Sequence, residues 1–381
     1  MSLIRRTTLR VYILAEFFHY LYQLRRFRHF DTMREPTNHS GGSQAMDEIT
    51  RMNYGQLLHR VRGLGIRHVA HMKTHGDICA YMLGNRHDTN YRPHVLTAGH
   101  SQLRWQYLPL AVHTTLKLVR LAGELVLFYK GFRRKWHLTD DGYYSVWSRY
   151  VPGSRPLVVF PGLGLGAVPY VQLVSHFNRT VHLVEVPNMG HATPYSNRQF
   201  TARTVFEVVS SYGPAPDILA HSMGTATATN YLNEQEAHGS APSPPQRVVM
   251  CDGFTHPMDM VRNHVYPFVD HVDHGSLLGQ QLSSLLHRLF VTMGVHNLEF
   301  TAWAKRFHNI HDGILWRTYP NVHFLHVYGM HDHIYDVPYI RNNVQPLENE
   351  RFLFQPEGKH GDCLFDQSSS SRDEIITWLQ T

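Results

Sequence analysis

Asp217-Ile218-Leu219-Ala220-His221-Ser222-Met223-Gly224 runs an apolar strand directly into a serine with small residues two positions before it and two after it. A chain that passes from strand to helix within one residue needs those flanks small, because a larger side chain at either would strike the backbone of the turn. Ser222 is therefore placed on a sharp bend, with its hydroxyl clear of the sheet edge at the start of the next helix. There the Met223 N–H can donate to a developing negative charge. The same residues also fit a plainer description, an N-cap serine after a buried strand. The segments on either side decide between the two.

Working outward, the chain from residue 143 alternates short apolar runs with helical stretches. Strands are expected at Tyr143–Tyr150, Leu157–Phe160, Val181–Val186, Asp217–Ala220, Arg247–Cys251, Val322–Tyr328 and Arg351–Phe354. The middle runs are almost continuously apolar and rich in Val, as parallel strands covered on both faces require. Helices are expected at Phe200–Tyr212, Ser222–Glu236 and Ser371–Leu379. This alternation predicts an α/β fold with a mostly parallel, doubly wound sheet. One interval breaks the rhythm. Between Cys251 and Val322 the sequence shows helical runs and no convincing strand, and an insertion there would cover the carboxyl ends of the strands, where open α/β sheets bind ligands. A helical lid is expected at about 254–320, its leucines (Leu277, Leu278, Leu282, Leu285) suited to an acyl chain or to plain helix packing.

Three further segments carry chemistry-bearing residues. Phe160-Pro161-Gly162-Leu163-Gly164-Leu165-Gly166 follows the first strong parallel strand, His323-Phe-Leu-His-Val-Tyr-Gly-Met-His-Asp332 follows a late one, and Glu357-Gly-Lys-His360-Gly-Asp-Cys follows the last. Together with Ala220-His-Ser-Met-Gly224, these resemble the α/β-hydrolase superfamily over roughly residues 140–381, in that family's chain order of nucleophile, acid and histidine. The segment around Ser222 is nearest to monoacylglycerol-lipase-type hydrolases, and Thr139-Asp-Asp-Gly-Tyr-Tyr144 is similar to the approach to the core in acid-lipase relatives.

The resemblance implies Ser222 as nucleophile, His360 as its base and Asp332 as the acid that orients the imidazole. Asp336 and Asp252 remain open as the acid. The backbone N–H groups of Leu163 and Met223 would form the oxyanion hole. Two departures from the family pattern stand out: Ala220 replaces the first glycine of the elbow, and Pro161 replaces the usual histidine of the oxyanion loop. His221, beside the nucleophile, is read as packing in the elbow rather than titrating in catalysis. No Gly-Lys-Ser/Thr follows the glycine run, so it is not a phosphate loop, and no cofactor is expected. Asp270-His-Val-Asp-His274 and His308-Asn-Ile-His-Asp312 match no zinc spacing, and chance clusters are expected in a chain with 30 histidines. No metal is expected either.

Charge divides the chain. Residues 1–135 hold 21 Lys and Arg against 8 Asp and Glu, whereas the remainder holds 15 against 22. A basic arm on an acidic domain calls for an anionic surface as partner. Within the arm, Val11–Leu24 is an apolar run bracketed by Arg5, Arg6 and Arg10 before it and Arg25, Arg26 and Arg28 after it. Fourteen residues rise only about 21 Å as a helix, short of a hydrocarbon core of roughly 30 Å. Glu16, His19 and Gln23 share one stripe, so the segment suits a membrane interface better than a span. An Arg-rich targeting presequence and a buried core helix are the other readings of it. Residues 34–46 have linker composition. Helices follow at 45–63 and 108–130, the second followed by Phe132-Arg-Arg-Lys135, and it either docks on the catalytic domain or touches lipid through its aromatic-basic end. The boundaries implied are 1–35 for a basic apolar membrane or targeting helix, 36–135 for a linker and helical extension, and 136–381 for the hydrolase domain. Nucleic acid is a poor fit as partner, because the aromatics sit inside apolar runs and no binding module is present. Three widely spaced cysteines imply no disulfide framework.

The expected function is hydrolysis of a carboxylic ester, of a lipid or other apolar acyl group, through an acyl-enzyme, by a protein associated with a membrane on its intracellular side. An acyltransferase using the same triad, and an inactive fold serving as a binding module, are the alternatives that the sequence leaves open. Oligomeric state is not legible in it.

Overall fold

The Val-rich runs assemble into one eight-stranded sheet in the computed structural model of the chain, which describes residues 3–32, 109–140, 142–187, 202–213, 215–237, 245–253, 319, 321–332, 337–343 and 346–380. The strands are β1 (Arg133–Thr139), β2 (Gly142–Arg149), β3 (Leu157–Phe160), β4 (Val181–Glu185), β5 (Asp217–His221), β6 (Arg247–Cys251), β7 (His323–Gly329) and β8 (Glu350–Gln355). Their order across the sheet is β1-β2-β4-β3-β5-β6-β7-β8. β1 and β2 are antiparallel, and every pairing from β4 to β8 is parallel. The lid expected at about 254–320 lies outside the described residues except for Tyr319, as do residues 36–108 with the helix at 45–63, Asp336, and both histidine clusters at 270–274 and 308–312.

Alternation along the central strands sorts the apolar side chains onto two faces. Val158, Phe160, Ile218, Ala220, Val248 and Met250 face one core, where α4 (Ala202–Ser210) brings Val205 and Val209 and α5 (Met223–Ala237) brings Tyr231 and Leu232. Leu157, Val159, Leu219, Val249 and Leu325 face the other. That face is covered by Leu127 of α2 (Leu110–Tyr129), Leu173 of α3 (Val171–Val174), and Ile375 and Leu379 of α8 (Ser370–Gln380). Two short helices, α6 (Val337–Asn343) and α7 (Asp362–Phe365), follow β7 and β8, and α1 (Leu3–Thr32) precedes everything else described. The doubly wound α/β reading therefore holds.

β1 was not anticipated. Arg133-Arg-Lys-Trp-His-Leu-Thr139 shows no apolar alternation and reads as the basic end of the preceding helix, yet it pairs with β2 along its whole length, from Arg133↔Ser148 to Thr139↔Gly142. An edge strand with one solvated face needs no such alternation, and charge on it discourages further pairing. Gly131, at φ +88°, lets the chain leave α2 and bury Phe132 before β1 begins. The sheet thus starts at Arg133, and α2 is part of its cover.

Candidate active site

Ser222 occupies the bend between β5 and α5 with φ +51°, a left-handed conformation that an L-residue adopts only where the surroundings hold it. They do. The Ser222 N–H donates to the Cys251 carbonyl at 2.9 Å, and the Ser222 carbonyl accepts both the N–H and the hydroxyl of Thr225, at 2.9 and 2.6 Å. Gly224 has no alternative, because a Cβ there would lie 2.1 Å from the Phe160 carbonyl oxygen. The second small residue of the elbow is thus set by the close approach of α5 to the end of β3.

The turns after β7 and β8 deliver the other two groups. Asp332 closes a tight turn, its N–H donating to the Gly329 carbonyl at 3.0 Å, and its side chain is fully enclosed. His360 lies in the turn between β8 and α7. Its Nδ1 is 2.8 Å from Asp332 Oδ2, and its Nε2 is 3.0 Å from Ser222 Oγ. The structure thus brings Ser222, His360 and Asp332 into one hydrogen-bonded line although they are far apart in the chain. The two turns are also tied to one another, since the His331 N–H donates to the Gly358 carbonyl at 2.8 Å.

Burial alone would push the His360 imidazole below its ordinary value. The charge and hydrogen bond of Asp332, with the charges of Asp252 and Asp362, outweigh burial and hold it above that value. His221 goes the other way: enclosure, and then the nearby His360, hold it well below. It is a neutral, packed ring, in keeping with the reading of it as part of the elbow.

Asp252, weighed above as an alternative acid, sits at the end of β6 at φ +44° and is fully buried. It makes no hydrogen bond to His360 among those observed. Instead the Gly329 and Gly361 N–H groups donate to its Oδ1 and Oδ2 at 3.1 and 2.7 Å. One carboxylate therefore pins the turn that carries Asp332 and the residue directly after His360. Burial, with the charge of Asp332, pushes Asp252 up to about 6, against the opposing pull of His360 and the two amides.

Tyr170 was missed by the sequence reading. Its hydroxyl accepts the Gly162 N–H at 2.7 Å and lies 2.7 Å from Nδ1 of His221. A Cβ on Gly162 would fall 2.9 Å from that same Nδ1 and 3.0 Å from the Ser222 Cβ. The glycine-rich loop that follows Pro161 is thereby pressed against the turn that carries Ser222. The next amide in that loop is Leu163, and the first amide of α5 is Met223; neither donates to a described backbone carbonyl outside its own element. No sequence signal marks Tyr170, because it lies in an apolar stretch and nothing in its spacing links it to Gly162.

Asp252, Asp332 and His360 are the group of His, Cys, Asp and Glu among the described residues whose ligand atoms lie close enough to share a cation, within 4.8 Å of one another. Their coordinating atoms are already engaged: both Asp252 oxygens accept amides, and the two His360 nitrogens meet Asp332 and Ser222. The geometry is one in which a proton could pass from Ser222 Oγ to His360 Nε2 directly. Cys251 and Cys363 are buried free thiols beside it.

A family model described as the alpha/beta hydrolase family matches residues 157–369. No curated protein matches the chain. Solved structures similar to it include an esterase from Exiguobacterium antarcticum, with 16% identity and a TM-score of 0.49 over 65% of this chain and 100% of that one. A carboxylesterase from Bacillus subtilis shares 11% identity with a TM-score of 0.44 over 71% of this chain and 99% of that one. A haloalkane dehalogenase from Agrobacterium tumefaciens shares 10% with a TM-score of 0.48 over 67% and 99%.

Proposed function

The chain belongs to the alpha/beta hydrolase family, and from that premise we propose that it cleaves carboxylic esters of apolar acyl groups through a covalent acyl-serine intermediate. The observation that carries this is the unbroken line from Ser222 Oγ through His360 to Asp332, at 3.0 and 2.8 Å. A serine hydroxyl is a weak nucleophile at neutral pH and gains strength from a base within hydrogen-bond reach. In the reaction, His360 Nε2 takes the Ser222 proton as Oγ bonds to the ester carbonyl carbon. Asp332 stabilises the imidazolium so formed. The oxyanion rests on the Leu163 and Met223 amides, and loss of one such donor typically lowers turnover by about 10²–10³. The tetrahedral adduct collapses with cleavage of the ester C–O bond, and His360 returns the proton to the departing alcohol. Water then gives its proton to His360, attacks the acyl-enzyme, and releases the carboxylic acid and free Ser222.

An acyl ester presented by lipid is the substrate class favoured, and the reaction is placed at a membrane surface. This rests on α1, whose Val11, Leu14, Phe17 and Phe18 are more than half exposed. No helix among the described residues is long and apolar enough to cross a membrane, so the contact proposed is peripheral. The test is labelling of the purified protein by a fluorophosphonate, followed by a panel of esters graded in acyl length. Wild type should label at Ser222 and turn over the panel. Ser222→Ala should stay folded, fail to label, and lose turnover by roughly 10⁴-fold or more. Activity retained in that variant would remove Ser222 as the nucleophile.

A further inference from the structure

α2 is built inside out. Its inward stripe holds Leu116, Arg120, Glu124 and Leu127, so two charged side chains of the helix, Arg120 and Glu124, point at protein. Arg120 is 6% exposed, donates to Glu124 at 2.7 Å and stands 3.7 Å from Glu185; Arg134 of β1 reaches Glu124 at 3.0 Å. The outward stripe, Leu118, Leu121, Leu125 and Tyr129, is 60, 53, 62 and 86% exposed. α1 repeats the inversion. Its Glu16 accepts the Leu110 N–H at the start of α2, and its His19 ring stands 5.5 Å from that of His113. Its Val11, Leu14, Phe17, Phe18 and Leu21 are exposed. A water-exposed helix normally has the opposite arrangement, and apolar surface gathered on two adjoining helices marks an interaction site.

We propose that the outward faces of α1 and α2 form one docking surface for an anionic lipid bilayer, with α2 as the element that couples it to the catalytic domain. This rests on the reading of the protein as a membrane-surface esterase and adds a second helix to it. Charge complementarity selects the occupant. Arg25, Lys117, Lys130, Arg133 and Lys135 are exposed around the apolar faces, and the first 135 residues hold 21 basic against 8 acidic side chains. Basic residues around an apolar helical face draw it to anionic headgroups. Trp136, which stacks under the Arg134 guanidinium at 3.9 Å, adds a half-exposed aromatic ring of the kind that favours the headgroup layer, on the cation that also meets Glu124 of α2. α2 is also rigidly joined to the site. A Cβ on Gly123 would lie 2.1 Å from Val168 Cγ1, and Glu185, the partner of Arg120, accepts the Ala167 N–H at 2.8 Å. Both contacts fall on the segment just after the Leu163 loop. The bilayer contact is therefore held at a fixed position relative to the oxyanion loop.

Flotation of the full chain with phosphatidylcholine vesicles, with and without phosphatidylserine, tests this, with fluorophosphonate labelling of Ser222 in solution run in parallel. Wild type should float with the anionic vesicles and much less with the neutral ones. The triple variant Leu118→Gln, Leu121→Gln, Leu125→Gln should label as wild type but partition about tenfold or more weakly. Flotation unchanged in that variant would overturn the role of α2. Equal flotation on both lipid compositions would overturn the anionic partner. Wild type that stays with neither vesicle and runs as a dimer, broken by the same variant, would show a second copy on this face and also overturn the proposal. If the variant labels poorly, a spin label at Leu121→Cys decides: it must become inaccessible to an aqueous relaxant when anionic vesicles are added, and continued accessibility sinks the proposal. Loss of labelling in wild type would instead strike the esterase reading and leave flotation to report on the surface alone.

Discussion

Asp252 supports the proposed catalytic site without lying on the proton path proposed for it. It holds the amides of Gly329 and Gly361, and its charge is one of those that keep His360 above its ordinary value. Asp252→Asn leaves the acceptor oxygen for one amide and turns an NH₂ toward the other, a buried mismatch worth about 1–3 kcal/mol. Turnover should fall roughly 10–100-fold as the two turns loosen. In the proposed mechanism the neutral imidazole is the base, so activity should rise with pH through the His360 titration, and removal of a charge that raises that titration should move the acid limb of kcat/KM to lower pH. Asp332→Asn should cost far more, roughly 10⁴-fold, because it disturbs the imidazole tautomer itself. A pH–rate profile of both variants separates the roles. Equal losses would show that Asp252 shares the acid's task. The sequence carried Ser222, His360 and Asp332 in recognisable local patterns, each on the turn after a legible strand. The work of Asp252 was not legible, because its partners are backbone amides contributed by distant turns.

Among the elements, strands that are covered on both faces were easiest to read, since burial forces an apolar run: Leu157–Phe160 and Arg247–Cys251 fall where expected. β1 was hidden by its three consecutive cations, tolerable because it is an edge. α2 was legible as a helix but not in its orientation, since Arg120 and Glu124 would ordinarily point to water. Its seat is fixed by Gly123, whose missing side chain lets the helix rest on Val168. Gly123→Ala should therefore destabilise the protein by about 1–3 kcal/mol through overpacking, although alanine is the better helix former. Val168→Ala removes the two closest methyls and should recover part of that loss in the double variant. Urea midpoints of the four proteins measure the coupling, and additive effects would mean that α2 is not pressed against that segment.

At the scale of the whole molecule, the buried histidines bear on how stability follows pH. His326 lies in the core between Phe324 and Phe352, with ring centroids 5.8 and 4.6 Å away; among the described residues neither of its nitrogens has a hydrogen-bond partner, and Glu350 is 3.9 Å off. Burial pushes it down to about 3, and pushes His182 down to about 4; His221 is well below its ordinary value. An unfolded chain takes up protons at these positions near pH 6.5, whereas the folded one does so only near the depressed values. The stability they contribute is thus complete above about pH 6.5 and is lost as pH falls toward 4 and 3, at about 1.4 kcal/mol per pH unit for each ring. His360 works in the other direction and in another window. Its folded value is raised, so its contribution is complete below about 6.5 and lost as pH climbs through that folded value. The histidines therefore place their combined optimum close to the ordinary imidazole range, with the steeper side acidic. His326→Phe keeps an aromatic ring in the stack and removes one titrating site. Urea unfolding at pH 7 and pH 5 should show the wild type losing more stability than the variant, by about 2 kcal/mol, because the loss of about 1.4 kcal/mol per pH unit begins only below about pH 6.5, and equal losses would mean that His326 takes up its proton in the folded protein.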